Sequence, residues 1–405
     1  MIVEAVFDIY CPSESWVVDL TTVCKALNPH AEAILYNGVE LISSRMAKAY
    51  LRSVVNPMRP HRAAAVRMLG VHVRTAKSIV QPFKLAFPKF TNLFRLAITS
   101  NTVELFEALL TAPPYIRILI VAGEHYPPRF PDILAAQSQI DTMHIRFMVC
   151  GEFANPRRRS KIPPLADGTV LPNLQNLLLD ADAFHPTLFT HAYSITSLTL
   201  VNPSHEHRTY ALKLFRETLV SFAVYEDIEL ECPPRCFWPT WTLHDIHLPK
   251  LGVLEVHQNL DEVVYMEGSL FEFPVVDVMT VPGLRESCPM LRTIIWGVDD
   301  PALMILYDNP EEDVPGPIRL YLRMLLDTFP HFVRLVVYDR VDTPDVTGKP
   351  FFGDIWTREN KDNVAPDRGI VDVGRWRREA LGELHVTWLF LPSLMILDTC
   401  SSCRS

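Results

Sequence analysis

The chain has 405 residues, of which 48% are hydrophobic and 21% are charged, so it can bury a sizeable core and is not disordered in composition. Its formal charge of −9 disfavours a nucleic-acid-binding protein, because such proteins cluster Lys and Arg against phosphates. The 15 glycines are not arranged as in a phosphate-binding loop, which disfavours a Rossmann-type or P-loop enzyme.

The sequence predicts no association with a membrane and no secretory signal. The longest apolar run, residues 386–397, is too short to cross a bilayer and contains a proline. Acidic residues, and no basic ones, accompany the first apolar positions of the chain. The eight cysteines are scattered, as expected for reduced thiols. These features predict a protein of the cytoplasm, the nucleus or both.

Three short helices are predicted within the first forty residues. The apolar positions of the first helix recur every three or four residues, at Ile2, Val3, Val6, Phe7 and Tyr10. Asp19 caps the second helix, whose apolar face is Leu20, Val23, Cys24 and Leu27. Asn28 and Pro29 begin the third helix, which is predicted to end near Tyr36. Helices this short need a larger body to pack on.

The residues 23–36, VCKALNPHAEAILY, and 39–41, VEL, resemble the second half of an F-box. They are most similar to the F-box-like domains that are abundant in basidiomycete fungi. The resemblance implies that this segment docks on the Skp-type adaptor of a cullin RING ubiquitin ligase. It also implies that the rest of the chain holds a protein target. By the same resemblance, the adaptor-binding residues would be Ile2, Val6, Leu20, Val23, Cys24 and Leu27.

One feature of the family has no counterpart in this chain. An F-box usually begins with a Leu-Pro dipeptide ahead of its first helix, whereas the sequence here starts inside that helix. The alternative interpretation is therefore that the front helices only cap the end of a repeat array, because terminal repeats need a cover.

A repeated apolar phrase follows from about residue 85. It reads Pro-x-Φ-x-x-Φ-x-Φ, where Φ is aliphatic or aromatic, and its five full copies begin at Pro114, Pro172, Pro249, Pro289 and Pro330. Copies without proline begin at Ile140, Ile195 and Leu219, and a looser one contains Leu93 and Leu96. Several steps between copies fall in the 20–29-residue range of leucine-rich repeats.

Helical patterns separate several copies of the phrase, at residues 103–110, 210–215 and 318–329. The resulting prediction is an α/β protein with a helical F-box-like module over residues 1–45 and a connecting helical segment over 46–85. An irregular leucine-rich-repeat-like solenoid with a parallel sheet would follow over 86–400. Residues 339–383 are predicted to be a long insertion, anchored on the body by Trp376. The alternative is a compact α/β domain with coincidental spacing.

No motif indicates an enzyme, a metal site or a cofactor. Cys400 and Cys403 have metal-ligand spacing, but a zinc site would need a second pair such as Cys232 and Cys236, with His244 and His247 nearby. The His205-Glu206-His207 segment reads more simply as a solvated loop. We therefore predict no catalytic residue, no metal and no cofactor. A hydrolase or transferase hidden in an irregular α/β fold is the remaining, disfavoured alternative.

The sharpest charge run is the loop that contains Arg157, Arg158, Arg159 and Lys161. It is interpreted as a solvated loop, a nuclear-localisation patch or a weak site for an acidic or phosphorylated partner. Taken together, the sequence predicts a non-enzymatic substrate-recognition subunit of a cullin RING (SCF-type) ubiquitin ligase. Its partners would be the Skp-type adaptor, through it a cullin, and an unidentified protein target. The alternative function is a repeat-built binding scaffold with no ubiquitin role.

Overall fold

A computed structural model describes thirteen stretches of the chain. They are residues 28–111, 115–124, 127, 129–147, 171–180, 194–227, 243, 246–259, 284–298, 317–339, 351–359, 367–371 and 376. The chain divides into two compact units, Met1–Ile195 and Thr196–Ser405.

The first unit alternates short helices with short strands. Its helices are α1 Asn28–Asn37, α2 Ser44–Val54, α3 His61–Ala65, α4 Val80–Ala86, α5 Val103–Glu107 and α6 Phe130–Ala135. Its strands are β1 Gly38–Leu41, β2 Met68–His72, β3 Arg95–Thr99, β4 Ile118–Gly123, β5 Thr142–Phe147 and β6 Asn176–Asp180. Three 3₁₀ turns, Lys77–Ile79, Phe87–Lys89 and Ala108–Thr111, border α4 and α5.

The six strands form a parallel sheet in sequential order, each strand pairing with the next along the chain. The apolar phrase explains this register. Its second apolar position places Leu96, Leu119, Met143 and Leu177 opposite one another, and all four side chains are buried. The third position forms an equivalent row two residues later. Because side chains alternate along a strand, one face of the sheet carries the core of the unit.

The second unit repeats this arrangement with wider spacing. Its helices are α7 His205–Phe215, α8 Leu284–Ser287 and α9 Pro317–Thr328. Its strands are β7 Ser197–Val201, β8 Ser221–Asp227, β9 Val253–Asn259, β10 Thr293–Val298, β11 Arg334–Asp339, β12 Phe351–Thr357 and β13 Asp367–Val371. Strands β7 to β11 pair in parallel and in order, whereas β12 and β13 continue the sheet as antiparallel strands.

The repeated phrase predicted the strands correctly. The row Leu198, Phe222, Leu254, Ile294 and Leu335 is in register across the second unit and fully buried. The helical patterns are also confirmed by α5 with its 3₁₀ turn, by α7 and by α9. The α/β class with a mostly parallel sheet is therefore confirmed.

Three boundaries differ from the prediction. The sheet begins at β1 and β2, inside the intervals that were predicted to be the helical front module and the connecting helices. Both strands carry the phrase without its proline, as Tyr36/Val39/Leu41 and Val66/Leu69/Val71. The interval 339–383 was predicted to be an insertion, yet it contributes β12 and β13 to the sheet. Helix α1 matches the predicted third helix, whereas residues 1–27, with the two preceding helices, lie outside the described residues.

Candidate functional site

The face of the first sheet opposite its buried rows is only partly covered. Its centre consists of Ile118 and Ile120 on β4, His144 on β5 and Leu178 on β6, all half-buried. Ile120, His144 and Leu178 stand directly opposite one another on adjacent strands. We call these four residues the first open face. A contiguous, partly exposed apolar patch on a rigid sheet is typical of a surface that binds another molecule.

Polar pairs border this apolar centre. His72 Nδ1 and Thr99 Oγ1 lie 3.2 Å apart, and Arg146 Nε and Asp180 Oδ2 form an ion pair of 3.1 Å. Both pairs follow the apolar centre towards the carboxyl ends of the strands, the first on β2 and β3 and the second on β5 and β6. Protein interfaces commonly have this arrangement, with an apolar core that excludes water and a polar rim that fixes the orientation of the partner.

The histidine at the centre is neutral at physiological pH. Burial, and to a smaller extent the nearby Arg146 charge, lower the pKa of His144 to about 4. The first open face therefore presents an uncharged imidazole between two aliphatic side chains, which can donate or accept a hydrogen bond without the desolvation cost of a cation.

A buried carboxylate fixes the segment that resembles an F-box to the first unit. Glu32 on α1 accepts hydrogen bonds from Arg62 Nη2 at 2.6 Å and from Arg59 Nη1, and its Oε2 lies 2.6 Å from His61 Nε2. The hydrogen bond from Arg62 is the main reason that the pKa of Glu32 falls to about 2. The ring of Tyr36 stacks on Tyr50 of α2, with 5.5 Å between centroids. Helix α1 is thus held against α2 and α3.

The corresponding face of the second sheet is covered by the chain itself. Trp376, 7% exposed, packs in one cluster with Val253, Ile295, Val336 and Tyr338. The guanidinium of Arg334 lies 4.8 Å from the Trp376 ring centroid. Trp376 therefore packs on the body of the second unit, as predicted, and its side chain lies on the face that remains partly exposed in the first unit.

A buried polar cluster lies beside Trp376. His257 Nε2 is 2.6 Å from Glu255 Oε1, and the Tyr338 hydroxyl hydrogen-bonds His257 Nδ1. The Tyr225 ring stacks on the imidazole at 3.8 Å. Gly297 leaves the room for this contact, because a Cβ there would lie 2.7 Å from the Tyr338 ring. Such a Glu–His–Tyr array can move a proton, but His257 is 3% exposed, so a dissolved substrate has no access to its ring.

All of the site residues predicted from sequence lie outside the described residues. These are the adaptor-binding set Ile2, Val6, Leu20, Val23, Cys24 and Leu27, and the basic loop Arg157, Arg158, Arg159 and Lys161. Within the described part of the chain, no group of acidic, His or Cys side chains could hold a metal ion. His205 and His207 fall in the first turn of α7, where His205 Nδ1 lies 3.4 Å from the guanidinium of Arg208.

Sequence reasoning missed the first open face. The signal was present in the residues that alternate with the apolar phrase, since Ile118, Ile120 and Leu178 are aliphatic where a solvated sheet would carry polar side chains. Those positions follow no repeated pattern from strand to strand, so only the register brings them together.

Comparison with known proteins adds no family to this description. No protein-family model matches the chain, and no curated protein matches it either. Among the helices in the described residues, none combines the length and the apolar character that crossing a membrane requires.

Proposed function

We propose that the chain is a non-enzymatic substrate-recognition subunit of a cullin RING ubiquitin ligase, in the cytoplasm or nucleus. Its front helices dock a Skp-type adaptor, and the first open face holds a protein target. The parallel strands belong to an irregular leucine-rich-repeat-like solenoid. Catalysis comes from proximity, because the target is held at a high effective concentration near the ligase-bound ubiquitin.

The observation that carries the proposal is the apolar centre with a polar rim on the same unit as the F-box-like segment. Ile118, Ile120 and Leu178 offer aliphatic area for a partner, while Arg146 with Asp180 and His72 with Thr99 supply orientation. Protein targets, which have mixed apolar and polar surfaces, suit such a face better than a small polar substrate does.

The attachment of α1 supports the adaptor-docking half of the proposal. A docking element transmits the position of its partner only if it is rigidly joined to the target-binding part. Glu32 makes that joint through three basic side chains of the α3 region, and Tyr36 adds an aromatic contact to α2. The second candidate function is a binding scaffold with no ubiquitin role, in which α1 and the residues before it serve as the cap of the array. The same packing of α1 favours this candidate.

Co-purification separates the two candidates. The full chain is mixed with a recombinant Skp-type adaptor and compared with a Val23→Asp/Leu27→Asp variant. A matched control, Tyr115→Asp/Met290→Asp, places the same charges at exposed apolar positions elsewhere. The proposal predicts a complex with the wild type and the control, and none with the first variant. A folded wild-type chain that binds no adaptor would leave the scaffold function.

A further inference from the structure

A long acid-free stretch of the chain lies within the first unit. Residues 41–103 contain eleven Lys and Arg and no Asp or Glu, whereas the other residues contain 27 Lys and Arg and 47 Asp and Glu. The stretch is therefore strongly cationic in a chain whose remainder is strongly anionic. The structure describes every residue of it, from the last residue of β1 to the first residue of α5.

Two neighbouring helices display much of this positive charge. Helix α2 contacts both α4 and the 3₁₀ turn Lys77–Ile79. The Ser44 hydroxyl at the start of α2 donates to Thr75 O at 3.2 Å, and Lys89 Nζ donates to Val55 O beyond the end of α2 at 3.1 Å. These contacts at both ends place the helices side by side and parallel.

The helix pair and the 3₁₀ turn between them carry five cations whose side chains are exposed or half-buried. On α2 the buried positions are Ala47, Leu51 and Val54, so the opposite stripe is Arg45, Lys48 and Arg52, at a spacing of three and four residues. The adjacent segment contributes Lys77 and Lys84. We call Arg45, Lys48, Arg52, Lys77 and Lys84 the basic face. Arg45, Arg52 and Lys77 are exposed, and the two remaining lysines are half-buried.

The cations of the basic face have no ion-pair partners within the part of the chain that the structure describes, in contrast to their neighbours. Arg59 and Arg62 pair with Glu32, and Arg74 pairs with Glu124. Five like charges on adjacent helices repel one another, and a partner that brings carboxylates would relieve this repulsion.

Exposed apolar side chains accompany the charges. Leu85 on α4 is 66% exposed, Met46 on α2 is 43% exposed, and Ile42 just before α2 is 66% exposed. The aromatic residues of the same segment point inward, since Phe83 and Phe87 are fully buried. Single-stranded nucleic acids are usually bound through exposed aromatic rings, and the anionic remainder of this chain would repel a long polyanion.

We propose that the basic face binds an acidic segment of a partner protein in which carboxylates alternate with aliphatic side chains. Arg45 and Arg52 engage carboxylates through two-pronged hydrogen bonds, and the lysines contribute charge. Leu85 and Met46 pack against the aliphatic side chains. This surface lies on the helices, whereas the first open face lies on the sheet, so the proposal extends beyond the function given above.

A binding measurement with defined probes tests the proposal. The full chain is titrated into a fluorescein-labelled peptide of about 18 residues built from Glu-Glu-Leu repeats, in about 50 mM and about 300 mM salt. We expect saturable binding that weakens at the higher salt. An all-glutamate peptide of the same length should bind roughly threefold or more weaker, because it lacks the aliphatic contact.

Charge-reversal variants locate the binding. Arg45→Glu/Arg52→Glu/Lys84→Glu should weaken peptide binding roughly tenfold or more. The control Lys213→Glu/Lys250→Glu/Arg285→Glu makes the same change in net charge at exposed positions of the second unit and should stay within about twofold of the wild type. Circular dichroism checks that both variants are folded.

Several outcomes would overturn the proposal. They are equal binding by the wild type and the basic-face variant, no binding at the lower salt, or tighter binding to single-stranded DNA or to phosphatidylserine vesicles than to the peptide. Failure here is distinguishable from failure of the proposed function, because the basic-face variant keeps the front helices that the adaptor experiment probes.

Discussion

Both units form a largely parallel sheet, but the face opposite the buried rows is partly exposed in the first unit and covered in the second. In the first unit, Ile120 is half-buried at the centre of a partly exposed apolar patch. In the second unit, Ile295 occupies the equivalent face and is fully buried beneath a cluster that includes Trp376. The same repeat architecture can therefore leave a partly exposed apolar surface or form a second buried core. Which of the two results depends on whether another part of the chain packs on that face.

The packing of Trp376 in the second unit is also consistent with the burial of the nearby polar cluster of Glu255, His257 and Tyr338. Glu255 and His257 are 4% and 3% exposed, and Tyr338 belongs both to their hydrogen-bonded group and to the apolar cluster with Trp376. Buried polar groups that are fully paired contribute to the specificity of packing. The polar cluster therefore acts as part of the second core.

The largest expected effect is a difference in stability between two matched substitutions, one on the face of each sheet. Ile295→Glu buries an unpaired carboxylate and should destabilise the second unit by at least about 4 kcal/mol. Ile120→Glu places the same charge on a half-buried position that water still reaches and should cost about 1 kcal/mol. Hydrogen exchange resolved by peptide measures the loss in each unit. Equal losses from the two substitutions would contradict the difference between the faces.

Removal of the cover should have the next largest effect. Trp376→Ala deletes a buried ring and its contact with Arg334, and we expect a loss of about 3 kcal/mol confined to the second unit. The exposed apolar surface of Val253, Ile295 and Val336 should then bind the dye ANS. Trp376→Phe serves as the control and should retain most of the stability. Unchanged exchange in β9, β10 and β11 would show that the tryptophan covers nothing.

The stability with which α1 packs on the rest of the first unit should depend on pH, because Glu32 must be ionised to hold its basic partners. Its folded pKa of about 2 lies below the ordinary value of 4.5, so its stabilisation is complete above pH 4.5 and is lost as the pH falls through 2. Glu32→Gln should cost about 2 kcal/mol at pH 7 and less than half of that at pH 3. Exchange protection of α1 at both pH values measures this. A cost that is independent of pH would exclude the ionised carboxylate as the cause.

The smallest expected effect concerns His144 on the first open face. Its pKa of about 4 lies below the ordinary 6.5, so the unfolded chain binds a proton more readily and stability falls as the pH drops from 6.5 towards 4. Between pH 7 and pH 5 the wild type should lose about 1 kcal/mol more than His144→Gln. Thermal unfolding at the two pH values provides the test, and parallel losses in both proteins would contradict it.

The strands could be predicted from sequence because each copy of the phrase contains the apolar residues that are buried in its own strand. Leu119 and Val121, like Leu254 and Val256, alternate with less regular residues and are preceded by a buried anchor such as Ile116 or Leu251. The phrase has a period of two within the strand, which is a local signal. The strands β1 and β2 were missed although Val39 and Leu41, like Leu69 and Val71, alternate in the same way, because that part of the chain was predicted to be helical.

Whether this face of the sheet is exposed or covered could not be predicted in the same way, because it depends on residues that are distant in the sequence. Nothing local distinguishes Ile120 from Ile295, since both are aliphatic residues at the same alternate position of a strand. The difference arises from Trp376, which is 81 residues beyond Ile295 in the chain and meets it only through tertiary packing. The acid-free stretch behind the basic face was, by contrast, readable from composition alone.

Affinity purification of three versions of the full chain, followed by quantitative mass spectrometry, tests whether adaptor docking and target binding reside on separate surfaces of the first unit. We propose that they do. This proposal predicts that Val23→Asp/Leu27→Asp loses the adaptor and cullin while retaining other partners. Ile120→Glu should retain the adaptor and lose a defined set of partners. If Ile120→Glu retained every partner of the wild type, the first open face would not be the target-binding surface.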